Sequence, residues 1–324
     1  TPLRRRFAQQ YGIILPLVRL RDNVTLEANT YEIRIHDHVV STGRLEPNMY
    51  LAMDPGTVQQ EISGEPAREP VFDLPALWIR PEQKEEAEIN GYTVVDPESV
   101  LVTHLSETLR EHAHELLSRD DVQTIVDRLR EKQPALVNSV IGDLVPVGLL
   151  HRVLQNLLKD GIAIRDLAQI LEVLGDSAHR TKDPALLTEL TRKALVRTIT
   201  EKHANASGKI TAITLDPALE YELCSGVNKD GGGDTLGLAP DRALDLIRTV
   251  SEVWKEVMAK GEDGAILLCD FRTRSQLAAM ISRQIPQLPV VAYDEIAIGT
   301  KIESVGVVSL AGRVPEIPLE PARV

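Results

Sequence analysis

Strand-like segments interleaved with helices at both ends of the chain, and an unbroken helical pattern between them, predict a multi-domain protein of mixed α+β and α/β class. Length points the same way, because 324 residues exceed what one compact core usually organises. Composition is that of a globular protein, 43% hydrophobic and 26% charged. Aromatics make up only 3%, so the cores must be built from Leu, Val, Ile and Ala.

The first elements are short. Residues 3–11 read as a helix stopped by Gly12. Ile13 to Leu20, Tyr31 to Ile35 and Met49 to Met53 have strand character, and Asp54-Pro55-Gly56 is a turn. Residues 57–70 are polar with scattered Gly and Pro and read as a loop. Ala76 to Ile79 resumes a strand, Pro81 opens a short acidic helix that ends at Gly91, and Tyr92 to Val95 is a strand. Asp96 then caps a long helix with Pro97 at its first position, and Leu101, Leu105, Leu109, Ala113 and Leu116 form its apolar stripe.

From residue 119 to 204 helix follows helix. Leu150, Val153, Leu154 and Leu157 form one stripe, closed by Gly161. Ile164, Leu167, Ile170, Leu171 and Leu174 form the next, closed by Gly175, and Asp183-Pro184 starts a third. Alternation then returns. Ile210 to Leu215, Ala265 to Cys269, Val290 to Tyr293 and Val305 to Val308 are strands, with helices from Pro240 to about Lys260 and from Arg274 to Arg283. Residues 313–324, with Pro315, Pro318 and Pro321, read as a flexible tail.

Several function classes find no support. A net charge of −12 argues against nucleic acid as a partner, since phosphate binding needs a basic surface. The charge is uneven: Arg4, Arg5, Arg6, Arg19 and Arg21 make the start basic, while residues 61–88 are acidic. No apolar run approaches the roughly 18 residues of a membrane helix, and no signal peptide is expected at the N-terminus. Cys224 and Cys269 lie in apolar surroundings and read as core residues of a reducing compartment. Among the 8 histidines, His36 and His38 would share one face of a strand, but no further ligand lies near them. His112 and His114 sit two apart on a helix, against the three or four that zinc motifs use. No metal and no cofactor is therefore expected. Gly231-Gly232-Gly233 lacks the Gly-Lys-Ser/Thr ending of a phosphate loop, and Ser225 has no nucleophile-elbow frame. No enzymatic activity is expected; a phosphate-binding α/β enzyme is the alternative of another class. What the residues describe by themselves is an acidic, multi-domain interaction platform.

Several stretches resemble the FlhA family, the gate of flagellar type III protein export, related to the export gates of virulence injectisomes. They are Arg5-Arg6-Phe7-Ala8, Leu20-Arg21-Asp22-Asn23, Tyr50-Leu51-Ala52-Met53-Asp54-Pro55-Gly56 and Leu74-Pro75-Ala76-Leu77-Trp78-Ile79. Gly91-Tyr92-Thr93-Val94-Val95-Asp96-Pro97, Thr103-His104-Leu105, Val153-Leu154-Gln155-Asn156-Leu157-Leu158 and Ile164-Arg165-Asp166 continue the series in family order. The resemblance implies a first α/β domain from 1–48 and 97–117, truncated at its N-terminus and interrupted by a small α/β domain at 49–96. A helical domain at 118–198 and a C-terminal α/β domain at 199–312 complete it. It further implies an upstream membrane domain, a place at the cytoplasmic face of the bacterial inner membrane, and a nonameric ring. The partners it implies are flagellar export chaperones with bound filament-type substrates and other export components. The flagellar branch is preferred on general similarity, with an injectisome gate as the alternative.

In the family, the docking site is a hydrophobic dimple between the first two domains. Position by position it falls on Phe72, Thr103 and the acid at Glu69, with Asp73 standing where the family commonly has Gly. An exposed Phe beside an apolar wall suits an amphipathic partner helix, and Leu74, Val95 and Pro97 are the expected walls. The plainer reading makes Phe72 a core residue, but its setting between Pro70 and Pro75 after a polar loop, together with the family resemblance, favours the anchor.

Overall fold

The computed structural model describes residues 2–56, 58–71, 73–227, 236–262 and 264–310. The glycine run at 231–233, the tail at 313–324 and Phe72 lie outside the described residues. The chain divides into two compact units, Thr1–Asp121 and Val122–Val324.

Helix α1 (Pro2–Tyr11) opens the first unit and ends at Gly12, whose φ of 82° a glycine adopts without Cβ conflict. Residues 13–20 form no strand. Ile13 and Leu15 are buried, and the Arg4 side chain donates to the Leu15 carbonyl at 2.9 Å. Pro16 removes a ladder donor in the middle of this run, and no neighbouring strand pairs with it. Strands β1 (Thr30–Ile35) and β2 (His38–Arg44) form an antiparallel hairpin. His36 (φ 50°) and Asp37 (φ 65°) make a two-residue turn with both residues left-handed, a turn that matches strand twist. His36 and His38 therefore do not share one strand face.

A second sheet follows, made of β3 (Tyr50–Met53), β4 (Glu65–Arg68), β5 (Pro75–Ile79) and β6 (Thr93–Val95), with α2 (Lys84–Ile89) between the last two. Its order is β4-β5-β3-β6 and every pairing is antiparallel, so this part is α+β, not the α/β of the sequence reading. Period-2 alternation sorts its side chains. Leu51, Ala76 and Trp78 face one way with Val95 against them, while Ala52 and Ile79 face the other way and pack on Ala87 of α2 and Tyr92. Helix α3 (Pro97–Glu111) adds Val100 to the first face. The short α4 (Ala113–Leu116) follows. Along α3 the buried residues are Val100, His104, Thr108 and Leu109, so the stripe turns by one position from the expected leucines, and Leu101 and Leu105 are only half-buried.

The second unit begins in α5 (Arg119–Lys132), which spans the division, and continues through α6 (Pro134–Val140), α7 (Val147–Lys159), α8 (Leu167–Ser177), α9 (Pro184–Ala194) and α10 (Val196–His203). The α7 stripe is buried as the spacing predicts. Gly175 is not a helix terminator. It lies inside α8, where an added Cβ would meet Val140 of α6 at 2.9 Å.

The closing sheet joins β7 (Lys209–Leu215), β8 (Ile266–Cys269), β9 (Val290–Ala292) and β10 (Lys301–Val308) in the order β10-β7-β8-β9, all parallel. Helices α11 (Pro217–Val227) and α12 (Pro240–Ala259) connect β7 to β8, and α13 (Phe271–Ile281) connects β8 to β9. Near-continuous apolar strands such as Ile266–Cys269 are what a parallel sheet covered by helices requires. Gly306, at an irregularity in β10, admits Val253 of α12, which would stand 2.7 Å from a Cβ there.

Candidate functional site

The residues expected to dock a partner lie in the first unit, at the link between β4 and β5 and along α3. The link is a tight loop. The Glu69 amide donates to the Leu74 carbonyl at 2.9 Å, and the Asp73 amide donates to the Glu69 carbonyl at 3.0 Å. The Glu69 carboxylate accepts from the Val71 amide at 3.0 Å, an Asx-like local closure that turns it inward. Asp73 has φ of 54°, a left-handed backbone that glycine adopts freely; Asp is among the few other residues that tolerate it. Arg68 secures the conformation by donating to both the Asp73 carbonyl and its carboxylate at 2.8 Å.

On α3, Asp96 is the N-cap, accepting from the Ser99 amide at 2.9 Å and the Ser99 hydroxyl at 2.7 Å. The Ser99 hydroxyl and amide hold the Asp96 carboxyl below the usual carboxylate range. Val102 and Thr103 are exposed, while Val100, His104 and Thr108 are buried.

The structure separates the expected set by environment. Thr103 and Leu74 are on the surface, Leu74 with 39% exposure. Glu69 is only 6% exposed, and its carboxylate accepts from the Val71 amide within the loop. Val95 supports the packed face formed by Leu51, Trp78 and Val100. Pro97 lines an open cleft of about 510 Å³ together with Leu45, Pro47, Asp96, Glu98 and Leu101. Only Pro97 of the described candidates lies in this cleft.

Sequence reasoning missed a polar cluster directly under this region. The Tyr31 hydroxyl is 2.6 Å from His104 Nδ1, and the Ser41 hydroxyl is 2.6 Å from His104 Nε2. Burial first, and the Glu69 charge second, push the Tyr31 phenol up to about 12. Burial lowers the His104 pKa against the opposing pull of Glu69 and Glu111, which keeps the ring neutral near pH 7. The available signal was the spacing Val100, His104, Thr108, which a helix places on one face. Among the described residues no group of His, Cys, Asp and Glu is arranged to hold a metal ion.

The sequence profile of the FHIPEP family matches residues 1–301. The chain belongs to the FHIPEP family. The flagellar biosynthesis protein FlhA of Bacillus subtilis is 38% identical over 308 residues, which are 95% of this chain and 45% of that protein. The family member here thus spans less than half the length of that relative. Chlamydia pneumoniae CdsV, solved in complex with CdsO, shares the fold with a TM-score of 0.80 at 24% identity, covering 95% of this chain and 89% of that one. The nonameric EPEC SctV-C shares it with a TM-score of 0.76 at 19% identity, covering 95% and 92%. Among the described residues of this FHIPEP protein, no helix is long and apolar enough to cross a membrane.

Proposed function

We propose that this chain is the cytoplasmic docking platform of a flagellar type III export gate, working at the inner face of the bacterial membrane. The family match over residues 1–301, with a FlhA protein at 38% identity, carries the reading and favours the flagellar branch over the injectisome branch. Its task is to receive export chaperones carrying filament-type cargo, and to do so without catalysis. The nonameric SctV-C supports ring formation, and the CdsV–CdsO complex supports contacts with another export component. The four-part arrangement, with residues 49–96 inserted in a first domain of 1–48 and 97–117, then 118–198 and 199–312, belongs to the same proposal. Its support is the chain order in which the β1–β2 hairpin and α3 flank the antiparallel sheet.

Docking centres on the loop 69–74 and the exposed side of α3. Phe72 is the proposed anchor, Leu74 and Thr103 offer surface, and Val95 and Pro97 support it from the sheet and the cleft. Glu69 acts by shaping the loop. An aromatic anchor in such a place is worth at least about 1 kcal/mol on truncation. Phe72→Ala and Thr103→Asp are each expected to weaken binding of a purified flagellar chaperone–cargo pair in calorimetry while thermal melting stays near that of the parent. Unchanged affinity in both folded variants would reject this surface. Tighter binding of an injectisome chaperone than of a flagellar one would move the chain to the other branch.

A further inference from the structure

The cluster beneath the docking surface is assembled by backbone features of three elements. Tyr31 pairs across the hairpin with Gly43, and its ring occupies the space of the missing side chain: a Cβ on Gly43 would stand 2.4 Å from the Tyr31 hydroxyl. The register irregularity of the hairpin at Ile33/Arg34 resets the pairing so that Ser41 stands opposite Ile33, and its hydroxyl reaches the ring of His104. His104 itself is 4% exposed, and its ring meets that of Tyr31 edge to face with centroids 5.7 Å apart. A neutral imidazole has one donor and one acceptor nitrogen, so one hydroxyl donates to the ring and the other accepts from it. The Thr108 hydroxyl donates to the His104 carbonyl at 2.8 Å, one turn further along.

Successive residues of an α-helix are about 100° apart around its axis. Fixing the side chain of His104 on the inner side therefore fixes the azimuth at which Thr103, its neighbour, meets solvent.

We infer that Tyr31, Ser41 and His104 form a positioning cluster, with His104 at its centre, that sets the rotation of α3 for partner docking. The inference rests on the docking reading above and adds to it residues that touch no partner. An apolar side chain would fill the same space at lower cost, since a buried polar group must recover its lost hydration. What two hydrogen bonds in fixed directions supply is one orientation, where an apolar contact allows several.

The test combines docking with a measurement on the free chain. His104→Leu removes both bonds and keeps the bulk. Loss of one buried hydrogen bond shifts an equilibrium by up to about tenfold, and the chaperone–cargo affinity is expected to fall by about that factor. His104→Asn, whose amide reaches the Nδ1 position, should recover part of the loss. Tyr31→Phe combined with His104→Leu should cost little more than His104→Leu alone, since both remove the same bond. Hydrogen exchange of the unliganded variants should quicken at residues 101–107. Should His104→Leu fail to fold, Tyr31→Phe and Ser41→Ala, each removing one hydroxyl, carry the same measurements. Parental affinity with parental exchange would overturn the inference. So would equal losses in the Leu and Asn variants, because a role in filling space alone predicts no rescue. If the parent chain binds no chaperone–cargo pair, the docking reading falls by itself, and the exchange rates at residues 101–107 still decide for or against the cluster.

Discussion

Arg192 and Arg274 carry charges into the interior of the second unit, where each is under 5% exposed. Arg192 donates to both oxygens of Glu295, at 2.5 and 2.7 Å, and to Asp160 at 2.7 Å. Arg274 grips Glu189 through Nε at 2.6 Å and through a second nitrogen, and reaches the same Asp160 oxygen at 3.0 Å. Burial pushes Glu189 up, and its bidentate pairing with Arg274 opposes that shift. Removing one member of such a group leaves its partners buried and unpaired, so Arg274→Met is expected to cost about 3–5 kcal/mol in urea unfolding. A loss under about 1 kcal/mol would mean the carboxylates had found other partners. Nearby His203 gives a pH signature. Burial, followed by the charges of Lys202 and Arg192, lowers its pKa to about 3 from an ordinary value of about 6.5. As pH falls below 6.5 the unfolded chain takes up a proton that the folded one refuses. The stability from the neutral ring is therefore complete above 6.5 and is lost on acidification towards 3, with a slope of at most about 1.4 kcal/mol per pH unit. His203→Gln should flatten the decline of urea midpoints between pH 6.5 and 4, and an unaltered profile would rule His203 out. None of these groups was legible in the sequence. Glu189 and Arg192 lie in an ordinary amphipathic helix pattern, and their partners come from 85 and 103 residues away, respectively.

At the scale of elements, legibility followed local chemistry. Asp96-Pro97 and Asp183-Pro184 announced helix starts because a short acidic side chain and a fixed proline φ satisfy the first turn by themselves. The structure has both caps, Asp183 accepting from the Ala185 amide at 3.0 Å. Asp183→Ala is expected to cost about 1 kcal/mol in thermal or urea unfolding, with Asp183→Asn restoring most of it. Strands that depend on a partner were read poorly. β4 is Glu-Pro-Ala-Arg, an edge strand whose polar side chains and proline suit an open side, and nothing in its own residues separates it from a loop. β2 was missed because its turn uses His36-Asp37 in place of the Asn-Gly or Asp-Gly that commonly marks such hairpins. The run at 13–20 erred in the other direction: apolar content suggested a strand, but Leu17, Val18 and Leu20 are exposed and no ladder forms. The docking candidates show the same division. Phe72 and Thr103 were singled out through the family resemblance, whereas the contacts of His104 with Tyr31 and Ser41 required knowing which strands lie beneath α3.

The whole molecule joins an acidic chain of net charge −12 to a proposed life in a ring. Like charge opposes association, and tethering by a membrane part would raise the effective concentration enough for weak contacts to close the ring. The chain alone is therefore expected to be chiefly monomeric in light scattering at low micromolar concentration, and a tight oligomer there would show that the contacts need no tether. The order of strands in the closing sheet has a consequence for synthesis. β10 is the last of the described strands, yet it pairs with β7, the first strand of that sheet, at Lys301↔Lys209 through Val308↔Leu215. While a ribosome is still translating the residues between them, β7 has β8 on one side and an empty edge on the other, with its apolar faces part-covered. The sheet can close only when residue 308 has left the exit tunnel. Until then the nascent protein presents an open template for foreign strands, and a message broken between the codons for residues 270 and 300 should yield a product that aggregates or recruits chaperones.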